Sequence, residues 1–351
     1  MDHLSLTLTL RHRQMCSRAE IAHVSLSHSR ALAIYASTNQ PSQQWIDTST
    51  IPTQVGGGAG VQVPAGSSSS SSSRSGSGLS KTTGSLAVFS PLGNMCAALR
   101  DWTVQLSGGV EYHHSSTILI RDVASGKTAI EIKEATGKPL GWSIDGRLIA
   151  AGEGQGRYKE RVGVWDAKTG RRVGRVVSHI DTVTHAAFAP PGLVPNASSS
   201  AGTDRLVTLS RDGTLRITDP ATSKTLSRLE IDSHNPRMLA VSPRAVTSIW
   251  GSRVHIWYPA INDLTSYDLT TTRLVEGWPL CISPDCRYLA CRTEDGFDIM
   301  ELSSGTVLCS EPCDALVTSG AFSPDSRLLL LGRMDGVLEY WDIDEQIQKQ
   351  G

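Results

Sequence analysis

The sequence predicts an all-β protein built from seven repeated units of four antiparallel strands. Three observations carry this. One phrase recurs along the chain: an apolar strand ending in Ser-Pro or its like, a turn with Asp or Gly, Arg-Leu opening a second apolar strand, and a third strand ending in an acid. The copies recur at a near-constant interval, which marks a repeat architecture. Within each copy, apolar and polar residues alternate at period two between turn residues. The 32 Gly and 16 Pro of the 351 residues suit many short strands and turns.

In chain order, LSLTLTL (4–10) is a lone alternating strand. A degenerate copy follows at VSLSHSRALAIYAS…QQWID (24–47), then VFSPLGNMCAALRD…STILIRD (88–122). The third unit, PLGWSI, RLIAAG, RVGVWD and RRVGRVV within 139–177, displays all four strands. Next come AFAPPG (187–192) resumed at DRLVTLSRDGTLRITD (204–219), AVSPRAVTSIWGSRVHIWYP (240–259), CISPDCRYLACRTEDGFDIMEL (281–302) and AFSPDSRLLLLGRMDGVLEYWD (321–342). The third strands end at Asp47, Asp122, Asp166, Asp219, Tyr258, Glu301 and Asp342, so the steps after Asp122 are 44, 53, 39, 43 and 41 residues. The step of 53 holds the insertion LVPNASSSAGT (193–203). The first step, 75, holds a Gly/Ser-rich stretch that has little apolar surface to bury, and 54–82 is expected to be a disordered insertion between units 1 and 2.

Units of this length with four strands and a Trp-Asp pair closing the third are the signature of a β-propeller. On Trp45-Ile-Asp47, Trp165-Asp166, Trp341-Asp342, SRDGTLRITD and His179-Ile-Asp181, the chain resembles the WD-repeat family over nearly its whole length. That resemblance implies a single domain, 1–351, with seven blades. It also implies that residues 4–10 become the outermost strand of the last blade, beside VLEYWD, and so remove an open edge. Residues 344–351 are then expected to be a polar tail of little structural weight. The family's hydrogen-bonded tetrad of His, Ser or Thr, Asp and Trp maps onto His179, Ser210 and Asp212. Thr218 stands where the Trp would be. With Trp165, Asp166, Trp341 and Asp342, these residues are assigned structural roles.

The sequence points away from several chemistries. Lys plus Arg is 33 and Asp plus Glu is 34, so no general attraction to nucleic acid is expected. No apolar run is long enough to span a membrane, and the N-terminus lacks the order of a signal peptide, so a cytoplasmic or nuclear protein with reduced thiols is expected. Cys281, Cys286, Cys291, Cys309 and Cys313 cluster in one unit without Cys-x2-Cys spacing, and are read as packing residues rather than zinc ligands. The His114 pair with His113 is read as a solvated loop. Gly152–Gly156 lacks the helix that a phosphate loop requires. No metal, cofactor or catalytic set is expected.

What remains is surface. The resemblance places the strand-two-to-three loops on one face, and two are long: 101–116 and 153–161. They carry Trp102, Tyr112, Arg157, Tyr158, Lys159 and Arg161, residue types that dominate protein hot spots. The expected function is a non-enzymatic scaffold presenting loop faces to other proteins or peptides. The alternatives are a propeller enzyme of the lactonase or another hydrolase kind with a central-channel site, or a structural subunit of a larger complex.

Overall fold

A computed structural model describes residues 3–16, 21–26, 32–37, 40–47, 87–99, 117–123, 125, 127–135, 139–153, 161–194, 204–269 and 278–348. The expected insertion at 54–82 lies outside them. The described chain is all β, with every sheet antiparallel. Strand β1 (His3–Met15) stands apart in sequence from the sheet it joins. Strands β2 (Ile21–Leu26), β3 (Leu32–Ser37) and β4 (Gln40–Asp47) form a sheet of three described strands.

Six sheets have four. The first of them holds β5 (Ala87–Phe89), β6 (Met95–Leu99), β7 (Ile118–Asp122) and β8 (Thr128–Ile132). The next holds β9 (Pro139–Trp142), β10 (Leu148–Glu153), β11 (Arg161–Asp166) and β12 (Arg172–Val176). Then come β13 (Val183–Ala189), β14 (Arg205–Ser210), β15 (Thr214–Asp219) and β16 (Lys224–Glu230). After them lie β17 (Pro236–Val241), β18 (Val246–Trp250), β19 (Arg253–Tyr258) and β20 (Asp263–Asp268). The following sheet holds β21 (Trp278–Ile282), β22 (Tyr288–Arg292), β23 (Gly296–Glu301) and β24 (Val307–Pro312). The last orders β1 beside β27 (Val337–Gln348), then β26 (Leu328–Arg333) and β25 (Val317–Phe322).

The second strands are largely buried: β18 and β26 along their whole length, and β10, β14 and β22 nearly so. The fourth strands, such as β16 and β20, alternate or are exposed. Strands buried on both faces belong to a stack of sheets packed face to face. The first strands touch in succession: β2 with β5, β5 with β9, β9 with β13, β13 with β17, β17 with β21, β21 with β25, and β25 with β2. Trp142 Nε1 donates to the Val88 carbonyl at 3.1 Å and so links two neighbouring sheets.

Strand β1 pairs with β27 antiparallel, Leu10 opposite Trp341 and Thr9 opposite Asp342. The pairing is longer than residues 4–10. It continues past a bulge at Arg11 to Met15, and at the other end Thr7 to His3 pair with Asp344 to Gln348. The expected tail from 344 is therefore strand as far as Gln348. A run of charged and polar residues reads as solvated, but an edge strand can carry such side chains and still form its backbone ladder.

Candidate functional site

The repeat phrase has a local cause. Ser143, Ser283 and Ser323 are fully buried, and each hydroxyl donates to the Asp two residues on (2.6, 2.5 and 2.6 Å). Each also accepts the amide of the residue opening the second strand, at 2.8–2.9 Å. This closes the turn between strands one and two. Its left-handed position is held by Gly93 and Gly146, and also by Cys286 and Ser326, with φ of 57° and 61°. Cys286 thus occupies a strained turn position rather than an ordinary packing one. The acid ending the third strand governs the next turn. Asp166 accepts the amides of Lys168 and Thr169, and Asp122 and Asp219 do the same work in their own turns. Asp342 has no such turn to hold. It instead takes the bulged Arg11 of β1 in a bidentate pair, at 2.9 and 2.7 Å.

The predicted tetrad is a hydrogen-bonded knot with one member exchanged. His179 Nδ1 lies 3.0 Å from Asp212 Oδ2, and Nε2 lies 2.7 Å from the Thr208 hydroxyl. Ser210 does not touch the imidazole. Its hydroxyl donates to the Asp181 carbonyl at 2.9 Å. Thr214 donates to Asp212 at 2.6 Å, and Arg216 donates to Thr214 at 3.0 Å. The Thr218 hydroxyl, at the Trp position, has no partner among the described residues. Burial lifts a carboxyl's pKa, but the His179 and Thr214 hydrogen bonds, the charge of His179 and the Ile180 amide outweigh it, and hold Asp212 well below the ordinary carboxylate range.

The last sheet fills the corresponding place with an ion cluster that the sequence reading does not single out. Glu339 is fully buried. Its carboxylate receives Arg333, Arg13 Nε at 2.9 Å and the Trp341 indole N–H at 3.1 Å, with the Cys313 thiol 3.7 Å away. Arg333 also binds Asp335. Burial opposes the Arg333 charge, yet Asp335 and Glu339 raise its pKa above the usual value. Trp341 packs edge-on to Phe297 at 5.3 Å, and Trp165 is buried among Ile149, Ala151 and Ile118. The available signal was Arg333 and Glu339 standing where the fourth repeat has Ser210 and Arg216.

The thiols are free. Burial pushes Cys16, Cys96 and Cys291 to about 12 and Cys286 to about 11, so they are protonated at neutral pH, whereas the thiolate is the metal ligand and nucleophile. Among the described residues no three His, Cys, Asp or Glu side chains converge as a metal set, and no helix is long and apolar enough to cross a membrane.

Of the loop residues expected to meet partners, Trp102, Tyr112, Arg157, Tyr158 and Lys159 lie outside the described residues. Arg161 opens β11, exposed and opposite Glu153. Glu153 itself is gripped by Arg175 and Arg172, whose hydrogen bonds and charges overcome its burial and lower its pKa.

Another surface group does come together. Trp278 opens β21 and is 46% exposed. It stands opposite Arg292 across the β21–β22 pair, with that guanidinium carbon 5.6 Å from the ring centroid. Arg237 arrives from the neighbouring sheet. It is the residue bulged out of the β17–β18 register, and its guanidinium carbon lies 3.9 Å over the same indole. Exposed Ile180 and Met334 lie at the equivalent sheet end, where strand one begins and strand two finishes. Comparison with family models and with curated proteins finds no match.

Proposed function

We propose that the chain is a seven-bladed propeller of the WD-repeat kind, joined at its seam by β1, and that it works as a non-enzymatic scaffold for protein or peptide partners. The fold reading rests on the cyclic succession of first-strand contacts and on third strands that end at the spacing of the repeat. One observation carries the functional reading. Large apolar side chains, Ile180, Trp278 and Met334, stand exposed at the sheet ends where first strands begin, while His179, Asp212, Ser210 and Glu339 of the interior are committed to hydrogen bonds within the sheets. Exposed apolar and aromatic groups mark partner surfaces, and polar groups satisfied inside a blade are spent on structure. Seven free thiols fit a reducing compartment, cytoplasm or nucleus.

Proximity labelling with the intact chain, set against Ile180→Ser, Trp278→Ala and Met334→Ser combined, tests this. The reading requires proteins that are labelled by the intact chain and lost with the triple variant. An unchanged set contradicts it, and so does a stoichiometric divalent metal in the purified protein, which a channel-site hydrolase would carry.

A further inference from the structure

We propose that Arg237, Trp278 and Arg292 form a docking site for an acidic peptide segment, its carboxylates taken by the two guanidinium groups and its apolar side chains laid on the indole. The proposal rests on the scaffold reading and names the chemistry of one partner class.

The charge balance of the site is the first argument. Several buried or half-buried arginines of this chain are paired with acids: Arg333 with Glu339 and Asp335, Arg175 with Glu153, Arg11 with Asp342. Arg237 and Arg292 have no carboxylate partner among the described residues, although both are half-buried. Two cations held within 6 Å of one ring centroid repel each other, and the ring's negative face offsets part of this. An incoming carboxylate relieves that repulsion. Burial already disfavours the Arg237 charge and lowers its pKa, so an anion there gains more than it would at a solvated arginine.

Geometry is the second. The Arg237 guanidinium carbon lies 3.9 Å over the indole centroid, and a guanidinium that stacks on a ring through its face keeps its N–H edge for a bidentate partner, the arrangement in which Arg recognises carboxylates. Its aim is fixed by the bulge in β17, a device that re-directs one side chain without disturbing the ladder. Trp278 is held by its strand pairing to Arg292 and presents nearly half its surface outward. A rigid aromatic flanked by arginines has the composition of an interface hot spot. The neighbours select among anions. Glu294 and Asp295 are exposed in the turn just past Arg292, and Asp232 and His234 in the turn before Arg237. The acids oppose a phosphate, which concentrates two charges at one point, more strongly than carboxylates that spread single charges over the two guanidinium groups, which favours an acidic segment over a phosphorylated one.

Fluorescence anisotropy with three labelled twelve-residue peptides on one Leu-containing scaffold tests the site on the full-length protein: one carries Glu and Asp, one has a single phosphoserine as its only anion, and one has Lys in place of the acids. The acidic peptide should bind, weaken as salt is raised, and lose about tenfold or more in affinity with Arg237→Gln or Arg292→Gln, one charge-assisted pair each. Arg237→Lys should recover part of the loss, and Trp278→Phe should bind more tightly than Trp278→Ala. Equal melting temperatures across the variants show that the fold is intact. The proposal is overturned if the acidic peptide fails to bind, if the arginine variants bind it as well as the parent, or if the phosphoserine peptide binds tighter. Labelled partners that still vanish with the triple variant would then leave the scaffold reading standing and remove only the acidic class.

Discussion

Gly163 and Gly146 make different demands. A Cβ on Gly163 would sit 2.2 Å from the Trp165 ring, and that indole is buried and cannot swing away. Gly163→Ala should therefore cost several kcal/mol, on the order of 2–4, as other overpacking does. Gly146 has a φ of 70° but nothing nearer than 3.8 Å to a new Cβ, so Gly146→Ala meets only backbone strain, about 1 kcal/mol. Urea midpoints of the two variants separate these cases. Asp212 sets an acid limit. Its pKa is depressed in the folded state, so its contribution is present above the ordinary carboxylate value near 4 and is lost as pH falls below that. Unfolding curves between pH 6 and 2.5 should show this loss, flattened in Asp212→Asn once its lower starting stability is subtracted. Sequence reasoning found His179 and Asp212 because their spacing is fixed by the turns. It chose Ser210 over Thr208 because two hydroxyls two residues apart share one face of β14, and alternation cannot rank them. Arg237 and Trp278 escaped it altogether, since a bulge leaves no mark in a pattern of alternating residues and the pair joins two sheets.

At the level of elements, the pairing of β1 with β27 decides most. Leu6 is buried, and Leu8 and Leu10 pack against the cluster holding Phe297, Leu329 and Trp341. Removing residues 1–15 uncovers that cluster, strips Arg13 from Glu339 and frees Asp342, so a large fall in melting temperature, or failure to fold, is expected from a calorimetric scan. Arg11→Ala alone removes one partly exposed pair, worth no more than about 1 kcal/mol. Glu339→Ala leaves the buried Arg333 without a main partner and should cost about 3–5 kcal/mol by urea unfolding. Deleting 344–351 takes away the partners of His3 to Thr7, so it should destabilise measurably rather than leave the protein unchanged. The existence of β1 and its partner was legible in LSLTLTL and in a final Trp-Asp without a following strand. The extent was not, because Arg11–Met15 and Asp344–Gln348 are mostly polar, with Met15 and Ile347 the exceptions, and an outer strand needs only one apolar face.

For the whole molecule, the repeat spacing was the readable quantity: β4, β7, β11, β15, β19 and β23 end at the residues named from sequence. Periodicity survives degeneration because each unit must bury its faces on its neighbours, whatever the individual residues. The polar networks of the sheets were less readable, since the same place is filled by His179–Asp212 in one sheet and by Arg333–Glu339 in another. The bond from Arg11 to Asp342 spans 331 residues of chain. During translation at roughly 5–20 residues per second, β1 leaves the ribosome and waits on the order of tens of seconds before β27 exists. Throughout that interval it is a lone strand with Leu4, Leu6, Leu8 and Leu10 in alternation, the pattern that invites pairing with any passing edge. Arg11, His12 and Arg13 lie directly behind it. Positive charge next to an apolar strand disfavours wrong pairing in an unfinished chain, and in the folded protein the same Arg11 and Arg13 are the ligands of Asp342 and Glu339.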